Sequence, residues 1–228
     1  MKSKIIYSVL FVLAAILPTS CDKDTEGMTF ITYYPSLTLE GETTMIVDKG
    51  STYEEPGYSA ELDGEDVTDQ VVVSGSVDTS TSGIYTITYT ITNADGFSAS
   101  STRTVIVLDP NDAIEGYWDT DASSYRLYDG AQTLYGASYE VLIFNNGDGT
   151  YYVDDLLGGW YRDRAGYGSS YAMTGDIAIE GSTVTLVDSY IAGWGDGLDW
   201  TGCKTAPMMQ IQVPSIGVSA MQVIWSSI

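Results

Sequence analysis

The sequence predicts an all-β chain of two successive domains, and three observations carry that prediction. The 228 residues include 18 tyrosines and 24 glycines with few aliphatic heptads, which favours strands and turns over helices. Residues 84–92 alternate apolar residues with threonine, the period of a strand with one buried face. All five tryptophans follow Pro110. This change in composition places the two domains at residues 29–109 and 111–228.

The first 28 residues have the layout of an export leader followed by a polar tether. Two lysines precede a mostly apolar stretch at residues 5–17, and small residues then precede Cys21. This order is typical of a secretory signal peptide, and the stretch is shorter than the roughly 20 residues that span a bilayer. We predict a signal peptide over residues 1–20 and an acidic tether over residues 21–28.

The residues around Cys21 resemble a bacterial lipobox, although Pro18 stands where leucine is usual. The resemblance implies that Cys21 is lipidated and becomes the mature N-terminus. The alternative is an ordinary cleaved signal with a chance cysteine. The acidic stretch at residues 22–27 resembles the signal that sends lipoproteins to the outer membrane surface in some gut anaerobes, although a solvated linker has the same composition. The resemblance implies a lipid-anchored outer-membrane protein that faces the cell exterior.

The first domain carries several short motifs in a fixed order. They include Tyr53-x-x-Pro56-Gly57-Tyr58, Gly83-x-Tyr85-x-Ile87-x-Tyr89 and Asn93-Ala94-Asp95-Gly96. Over about residues 40–108, this order resembles the bacterial Ig-like domains that occur as repeats in surface proteins. The resemblance implies an Ig-like β-sandwich that serves as a spacer or adhesion arm. For the acidic residues 63–69 we favour a solvated loop over a calcium site.

The second domain shows about eight segments with strand character. They are residues 116–120, 125–128, 139–145, 150–155, 171–179, 183–189, 208–213 and 218–225. Antiparallel strands in this number need a closed barrel or a double sheet to protect their edges. Gly116-x-Trp118 resembles the opening of lipocalin-like barrels. We therefore expect an antiparallel β-barrel, with a β-sandwich as the alternative.

Glycine and aromatic residues are interleaved at residues 155–175 and 192–196. With the Ig-like motifs before them, these stretches resemble the two-domain surface lipoproteins encoded beside Sus-type glycan-uptake systems. The resemblance covers nearly the whole mature chain and implies no catalytic role for the C-terminal β domain.

Composition excludes several kinds of chemistry. The chain has no histidine, which removes Ser-His-Asp and Cys-His catalysis and most zinc sites. A net charge of −22 disfavours nucleic acid and polyanionic ligands. If Cys21 is lipidated, Cys203 has no partner for an intrachain disulfide. We expect no enzymatic activity, no cofactor and no metal.

Aromatic rings on glycine-rich loops can stack on the apolar faces of neutral sugars, and neighbouring polar groups can bind the hydroxyls. The predicted ligand-binding residues are Trp160, Tyr161, Arg162, Tyr167, Tyr171, Trp194 and Trp200. Asp163 and Arg164 supply further polar groups beside them. The alternative is that several of these rings belong to the core, as we expect for Trp118 and Trp225.

Three functions remain open, and we place them in order. The first is a non-catalytic surface lipoprotein that binds a neutral glycan as an accessory to outer-membrane glycan uptake. The second is a structural or protein-interaction subunit that docks on an outer-membrane transporter or adhesin. The third is a glycoside hydrolase, which needs two carboxylates about 5–9.5 Å apart. The adjacent Asp154 and Asp155 would point to opposite faces of a strand and could not easily share one substrate.

Overall fold

The computed structural model describes residues 31–128, 131–181 and 183–197, and the backbone alone of the strands at residues 208–212 and 220–227. At residues 127 and 128, too, only the backbone is described. The predicted all-β class is confirmed, since strands dominate both halves of the chain. The N-terminal half is defined here as residues 31–109, and the C-terminal half as the described residues from 111 onward. None of the helices in these ranges has the length and apolar character to cross a membrane.

The N-terminal half folds into two sheets. Its strands are β1 (Ser36–Leu39), β2 (Thr44–Asp48), β3 (Tyr58–Leu62), β4 (Glu65–Asp66), β5 (Val72–Ser74), β6 (Gly83–Thr92) and β7 (Ser98–Leu108). One sheet has the order β1-β3-β4 and the other has the order β2-β7-β6-β5. Strand β2 runs parallel to β7, whereas β6 and β7 form a long antiparallel hairpin. These two sheets fit the predicted sandwich.

The alternation predicted for β6 is present in the structure. Ile87, Tyr89 and Ile91 are buried, and the threonines between them lie on the outer face. Ile91 packs with Ala60 of the other sheet in one apolar cluster, so the core lies between the two sheets. This arrangement follows from the period of two along a strand, which places alternate side chains on opposite faces.

The C-terminal half forms one larger sheet. Its strands are β8 (Gly116–Thr120), β9 (Tyr125–Tyr128), β10 (Ala131–Leu134), β11 (Glu140–Asn145), β12 (Thr150–Val153), β13 (Met173–Glu180), β14 (Thr183–Ile191), β15 (Met208–Gln212) and β16 (Ala220–Ser227). The order is β10-β9-β16-β8-β11-β12-β13-β14, with β15 paired to β16.

The expected barrel closure is not found among the described strands, because β10 and β14 end the sheet without pairing to each other. Strand β16 also runs parallel to both β8 and β9, so the sheet is not purely antiparallel as expected. An open sheet matches the sandwich alternative better than the lipocalin-like barrel.

A single apolar cluster forms the core of the C-terminal half. Trp118 is 3% exposed within it, as its strand position predicts. The cluster draws on β8, β11, β12 and β13 and continues into the connection between β12 and β13. That connection, residues 154–172, carries most of the predicted ligand-binding residues.

Candidate functional site

The connection after β12 begins with a buried carboxylate. Asp155 is fully buried, and its oxygens accept the backbone N–H groups of Leu157 and Gly159 at 3.0 Å each and of Met173 at 3.2 Å. A buried donor or acceptor without a partner costs about 1–3 kcal/mol, so these bonds hold the start of the connection against β13.

Gly159 allows the chain to turn at this point. Its φ of +84° is one that L side chains rarely adopt, and a Cβ there would lie 2.5 Å from the Cβ of Tyr139. The π-helical turn Trp160–Arg164 follows directly. In it the N–H of Arg164 donates to the carbonyl of Gly159 at 2.9 Å. Such single π-helical turns occur frequently at functional sites.

Trp160 occupies the inner side of this turn. It is 4% exposed and packs on Tyr135, with 5.0 Å between the ring centroids. The Cζ of Arg164 lies 4.3 Å from the centroid of its ring. A buried ring cannot stack on a sugar, so the structure contradicts the ligand-binding role predicted for Trp160. It belongs to the core on which the site rests.

Four predicted ligand-binding residues form one aromatic cluster, which we define as Tyr161, Tyr167, Tyr171 and Trp194. Each ring contacts two others, so the contacts form a closed cycle. The centroid distances are 5.8 Å for Tyr161–Tyr167, 5.3 Å for Tyr167–Tyr171, 5.7 Å for Tyr171–Trp194 and 4.8 Å for Tyr161–Trp194. Three of the four contacts are edge-to-face, a favourable geometry for aromatic rings.

The aromatic cluster has an inner and an outer side. Tyr161 and Tyr171 pack partly against the core, whereas Tyr167 is 56% and Trp194 is 50% exposed. Burial raises the pKa of the Tyr161 phenol, which therefore stays neutral near pH 7. The cluster thus presents uncharged aromatic surface on a supported base.

Trp194 reaches the cluster from a separate loop after β14. The N–H of Gly193 donates to the carbonyl of Ser170 at 2.6 Å, which joins this loop to the 154–172 connection. A Cβ at residue 193 would lie 2.8 Å from the ring of Tyr171. Only glycine therefore permits this close approach of the backbone to the ring.

Arg162 is committed to ion pairs with three aspartates. Its guanidinium lies 3.1 Å from Asp154, 3.9 Å from Asp155 and 2.8 Å from Asp163. Burial disfavours its charge, but the hydrogen bond to Asp163 and the charges of the three carboxylates outweigh that effect and raise its pKa. These ion pairs hold the π-helical turn, and the predicted role of Arg162 in hydroxyl binding stays a prediction.

The carboxylates of Asp154 and Asp155 do not point apart as the sequence predicted. Strand β12 ends at Val153, so the strand alternation no longer applies and both side chains reach the same guanidinium. Burial raises the pKa of Asp155 to about 6, despite the opposing effects of Arg162 and the three N–H donors. Because Asp155 is enclosed and its oxygens are used by the backbone, the pair does not form an accessible hydrolytic site.

Two predicted residues, Cys21 and Trp200, lie outside the described residues, as does Trp225's side chain. Sequence reasoning missed the contribution of Asp155, because a buried aspartate looks like any other of the 31 acidic residues. It also missed Arg126, whose Cζ lies 6.0 Å from the centroid of the Tyr161 ring. Within the described ranges, no three His, Cys, Asp or Glu side chains are placed to hold a metal ion.

Comparison with known proteins gives matches for both halves. Residues 37–107 match the family of the bacterial surface protein, Ig-like domain, and residues 108–210 match the BT2262-like, C-terminal domain. Among solved structures, the chain is similar to the lipoprotein BT2262 from Bacteroides thetaiotaomicron. The identity is 41% and the TM-score 0.58, and the match covers 73% of this chain and 84% of that one.

More distant matches involve ZmpB from Clostridium perfringens. A structure of its M60 catalytic domain with the CBM51-1 and CBM51-2 domains matches at 15% identity and a TM-score of 0.30, over 54% of this chain and 15% of that one. Its CBM51-2 and INT domains, in complex with GlcNAc, match at 17% identity and a TM-score of 0.28, over 52% and 31%. Likeness this low supports no statement about fold or ligand. No curated protein matches the chain.

Proposed function

We propose that this chain, which belongs to the family of two-domain bacterial surface lipoproteins that includes BT2262, binds a neutral glycan through its C-terminal half. The observation that carries the proposal is the closed aromatic cluster of Tyr161, Tyr167, Tyr171 and Trp194 on its supported turn. In this proposal the Ig-like half serves as the arm that holds the binding surface away from the membrane.

The chemistry of the aromatic cluster suits sugar rings. The C–H groups on the faces of a pyranose are weakly positive, and an aromatic face carries negative charge, so the two attract when stacked. The exposed rings of Tyr167 and Trp194 offer such faces, and their partners Tyr161 and Tyr171 restrict their motion. A site whose side chains are already held in place loses less entropy on binding.

The charge of the chain favours neutral sugar units at this cluster. The net charge is −22, which repels ligands with many negative charges. Hydroxyl groups of a sugar can instead donate hydrogen bonds to exposed carboxylates, and Asp196 is exposed on the same loop as Trp194.

The test is glycan binding by matched aromatic variants. We expect the protein to bind at least one neutral oligosaccharide from a broad panel in calorimetry. Trp194→Ala and Tyr167→Ala should each lower that affinity about tenfold or more, equivalent to about 1.4 kcal/mol. Tyr190→Ala is the control, since Tyr190 is 49% exposed but does not belong to the cluster. Failure to bind any glycan, or equal loss in the control, would contradict the proposal.

Anchoring through Cys21 is a second part of the proposal. The leader pattern and the lipoprotein family support lipidation of Cys21 and residence in the outer membrane, facing the cell exterior. Cys21→Ala should lose incorporation of labelled fatty acid and leave the membrane fraction. Surface proteolysis of intact cells tests the orientation, and a variant that still takes up fatty acid would contradict the site.

A second candidate function is docking on an outer-membrane transporter or adhesin, and one observation favours it. On the outer face of the β2-β7-β6-β5 sheet, Ile46 and Ile84 are 58% and 44% exposed. Both are in register with Ile106 on β7, which lies between them. Ile106 itself is 3% exposed, so the exposed apolar surface consists of Ile46 and Ile84 on either side of it. Exposed apolar side chains placed together can mark a protein contact. Ile46→Asp should abolish co-purification with an envelope partner while glycan binding is unchanged.

A further inference from the structure

Arg164 is an arginine with a fixed guanidinium at the edge of the proposed binding site. Its Nε donates to the carbonyl oxygens of Leu134 at 2.9 Å and Tyr135 at 3.1 Å. Its Cζ lies 4.3 Å from the centroid of the Trp160 ring. These contacts fix both the direction and the plane of the group while the residue as a whole stays exposed. The edge formed by its two terminal nitrogens faces away from the bonded Nε.

The ion pairs of this acidic chain make Arg164 unusual. Two other arginines form ion pairs with carboxylates. Arg103 pairs with Glu55 at 2.9 Å, and Arg162 pairs with three aspartates. Arg164, only two positions further on, has no carboxylate oxygen within 4.0 Å among the described residues. In a chain with 31 acidic residues, an ordered guanidinium on an exposed residue, with no carboxylate of the described residues within 4.0 Å, is available to an external anion.

The position of Arg164 links it to the aromatic cluster. Arg164 and Tyr161 belong to the same five-residue π-helical turn, so their backbones lie close together. Trp160, which Arg164 covers, is next to Tyr161 in the chain. A ligand that stacks on the cluster therefore has a fixed cation within reach at one edge.

We propose that Arg164 binds the carboxylate of an acidic sugar, so that the glycan contains a hexuronic acid unit beside neutral ones. A guanidinium edge matches a planar carboxylate in two parallel hydrogen bonds, which a single ammonium group cannot reproduce. The inference rests on the proposed function, because the neutral units stack on the aromatic cluster and the acidic unit meets Arg164. The net charge of −22 limits the ligand to isolated acidic units instead of a polyanion.

The experiment compares each acidic oligosaccharide with its own uncharged form. The probes are oligosaccharides from glucuronoxylan, from arabinogalactan bearing glucuronic acid and from rhamnogalacturonan I, each before and after reduction of the carboxyl groups. Calorimetry is performed with the whole mature protein and with R164Q, R164K and W194A. Tryptophan fluorescence during urea unfolding verifies that each variant keeps its fold.

We expect the native protein to bind at least one acidic oligosaccharide about tenfold more tightly than its reduced form, a difference of about 1.4 kcal/mol. This preference should disappear in R164Q and be retained in part in R164K, which keeps the charge without the planar edge. W194A should weaken both forms equally.

Other outcomes overturn the inference, and they separate it from the proposed function. Equal binding of acidic and reduced forms by the native protein removes the role of Arg164 but leaves glycan binding intact. The same holds if R164Q keeps the preference, or if it weakens both forms alike through loss of the turn. No binding of any acidic, reduced or neutral oligosaccharide contradicts both proposals.

Discussion

The two halves of the chain each bury one charged side chain, and the two charges have opposite sign. In the N-terminal half, Arg103 is fully buried and donates to the carbonyl oxygens of Glu40 at 2.8 Å and Gly57 at 3.1 Å, to that of Glu42 and to the Glu55 carboxylate. In the C-terminal half, Asp155 is fully buried and accepts three backbone N–H groups.

A fully buried charge bonded by backbone groups therefore has a different role in each half. Arg103 lies on β7 and fastens the segments around Glu40 and Gly57 to it, so its bonds join parts of the sandwich to each other. Asp155 fastens the start of the connection that carries three rings of the aromatic cluster. A buried charge bonded mainly by backbone groups holds an irregular segment, and the function of that segment determines whether the charge serves the fold or the site.

The largest expected effect comes from Arg103→Ala. The change removes the donor to the carbonyl oxygens of Glu40, Glu42 and Gly57 and leaves a cavity in place of a fully buried side chain. It should lower the free energy of unfolding of the N-terminal half by about 3–5 kcal/mol. Hydrogen exchange of β6 and β7 measures that loss. All five tryptophans lie beyond residue 110, so their fluorescence reports the C-terminal half alone. We expect its unfolding midpoint to be unchanged.

The exposed Lys49 supplies the control for this comparison, since Lys49→Ala removes a cation from the same half without removing a buried contact. If Arg103→Ala shifted the tryptophan transition as much as the exchange of β6 and β7, the two halves would unfold together. The two domains predicted on either side of residue 110 would then not be independent units of stability.

Asp155→Ala should produce the converse result. It leaves the N–H groups of Leu157, Gly159 and Met173 without their acceptor, and we expect a loss of about 3 kcal/mol in the tryptophan-monitored transition. Exchange in β6 and β7 should stay the same. Glu180→Ala, at an exposed position of β13, is the control. A loss below about 1 kcal/mol would mean that water replaces the carboxylate and that the connection does not depend on it.

The comparison also predicts a dependence on pH. Burial raises the pKa of Asp155 to about 6, above the roughly 3.9 of an unfolded aspartate. The folded state thus binds the proton more tightly, and the stability this gives is present below pH 4 and lost as the pH rises through 6. Relative to Asp155→Asn, the native protein should lose about 2–3 kcal/mol between pH 4 and pH 7.

Urea unfolding of the native protein and of Asp155→Asn across this pH range measures the difference between their free energies of unfolding. The titration of the other acidic residues cancels in that difference. A difference that stays constant would show that Asp155 has the same pKa in the folded and unfolded states, so that Arg162 and the backbone N–H groups offset the effect of burial. A rising difference in favour of the native protein would indicate a lowered pKa in place of a raised one.

Local patterns in the sequence predicted much of the fold, and non-local pairing could not be predicted. The alternation at residues 84–92 gave β6, and the segments at residues 116–120 and 125–128 match β8 and β9. Strand β10 (Ala131–Leu134) was missed, because it is short and exposed at every position. The open sheet depends on pairings between distant segments, such as β16 with β8 and β9, which no local period specifies.

The candidate site, too, could be predicted from the sequence only in part. Interleaved glycine and aromatic residues pointed to Tyr161, Tyr167, Tyr171 and Trp194, which the fold brings together from two loops. The same pattern could not separate Trp160, because a ring beside glycine packs equally well inward or outward. Its burial depends on the turn that Asp155 fixes, and that turn is visible only in three dimensions. Ligand binding by the four rings stays a prediction.

The smallest expected change in stability comes from Gly193→Ala. This variant leaves Asp155 in place and moves only the ring of Tyr171, at the end of the connection that Asp155 holds. The new Cβ would lie 2.8 Å from the Tyr171 ring, so the ring must shift and its contact with Trp194 must open. We expect a loss of about 1 kcal/mol in unfolding, since the ring is partly exposed and can move outward. Glycan affinity should nevertheless fall about tenfold, while Ala192→Ser, which adds one atom at an exposed neighbouring position, should leave it unchanged. If calorimetry showed native affinity in Gly193→Ala, the arrangement of the rings would not matter for glycan binding. Asp155 would then contribute to the fold alone, as Arg103 does.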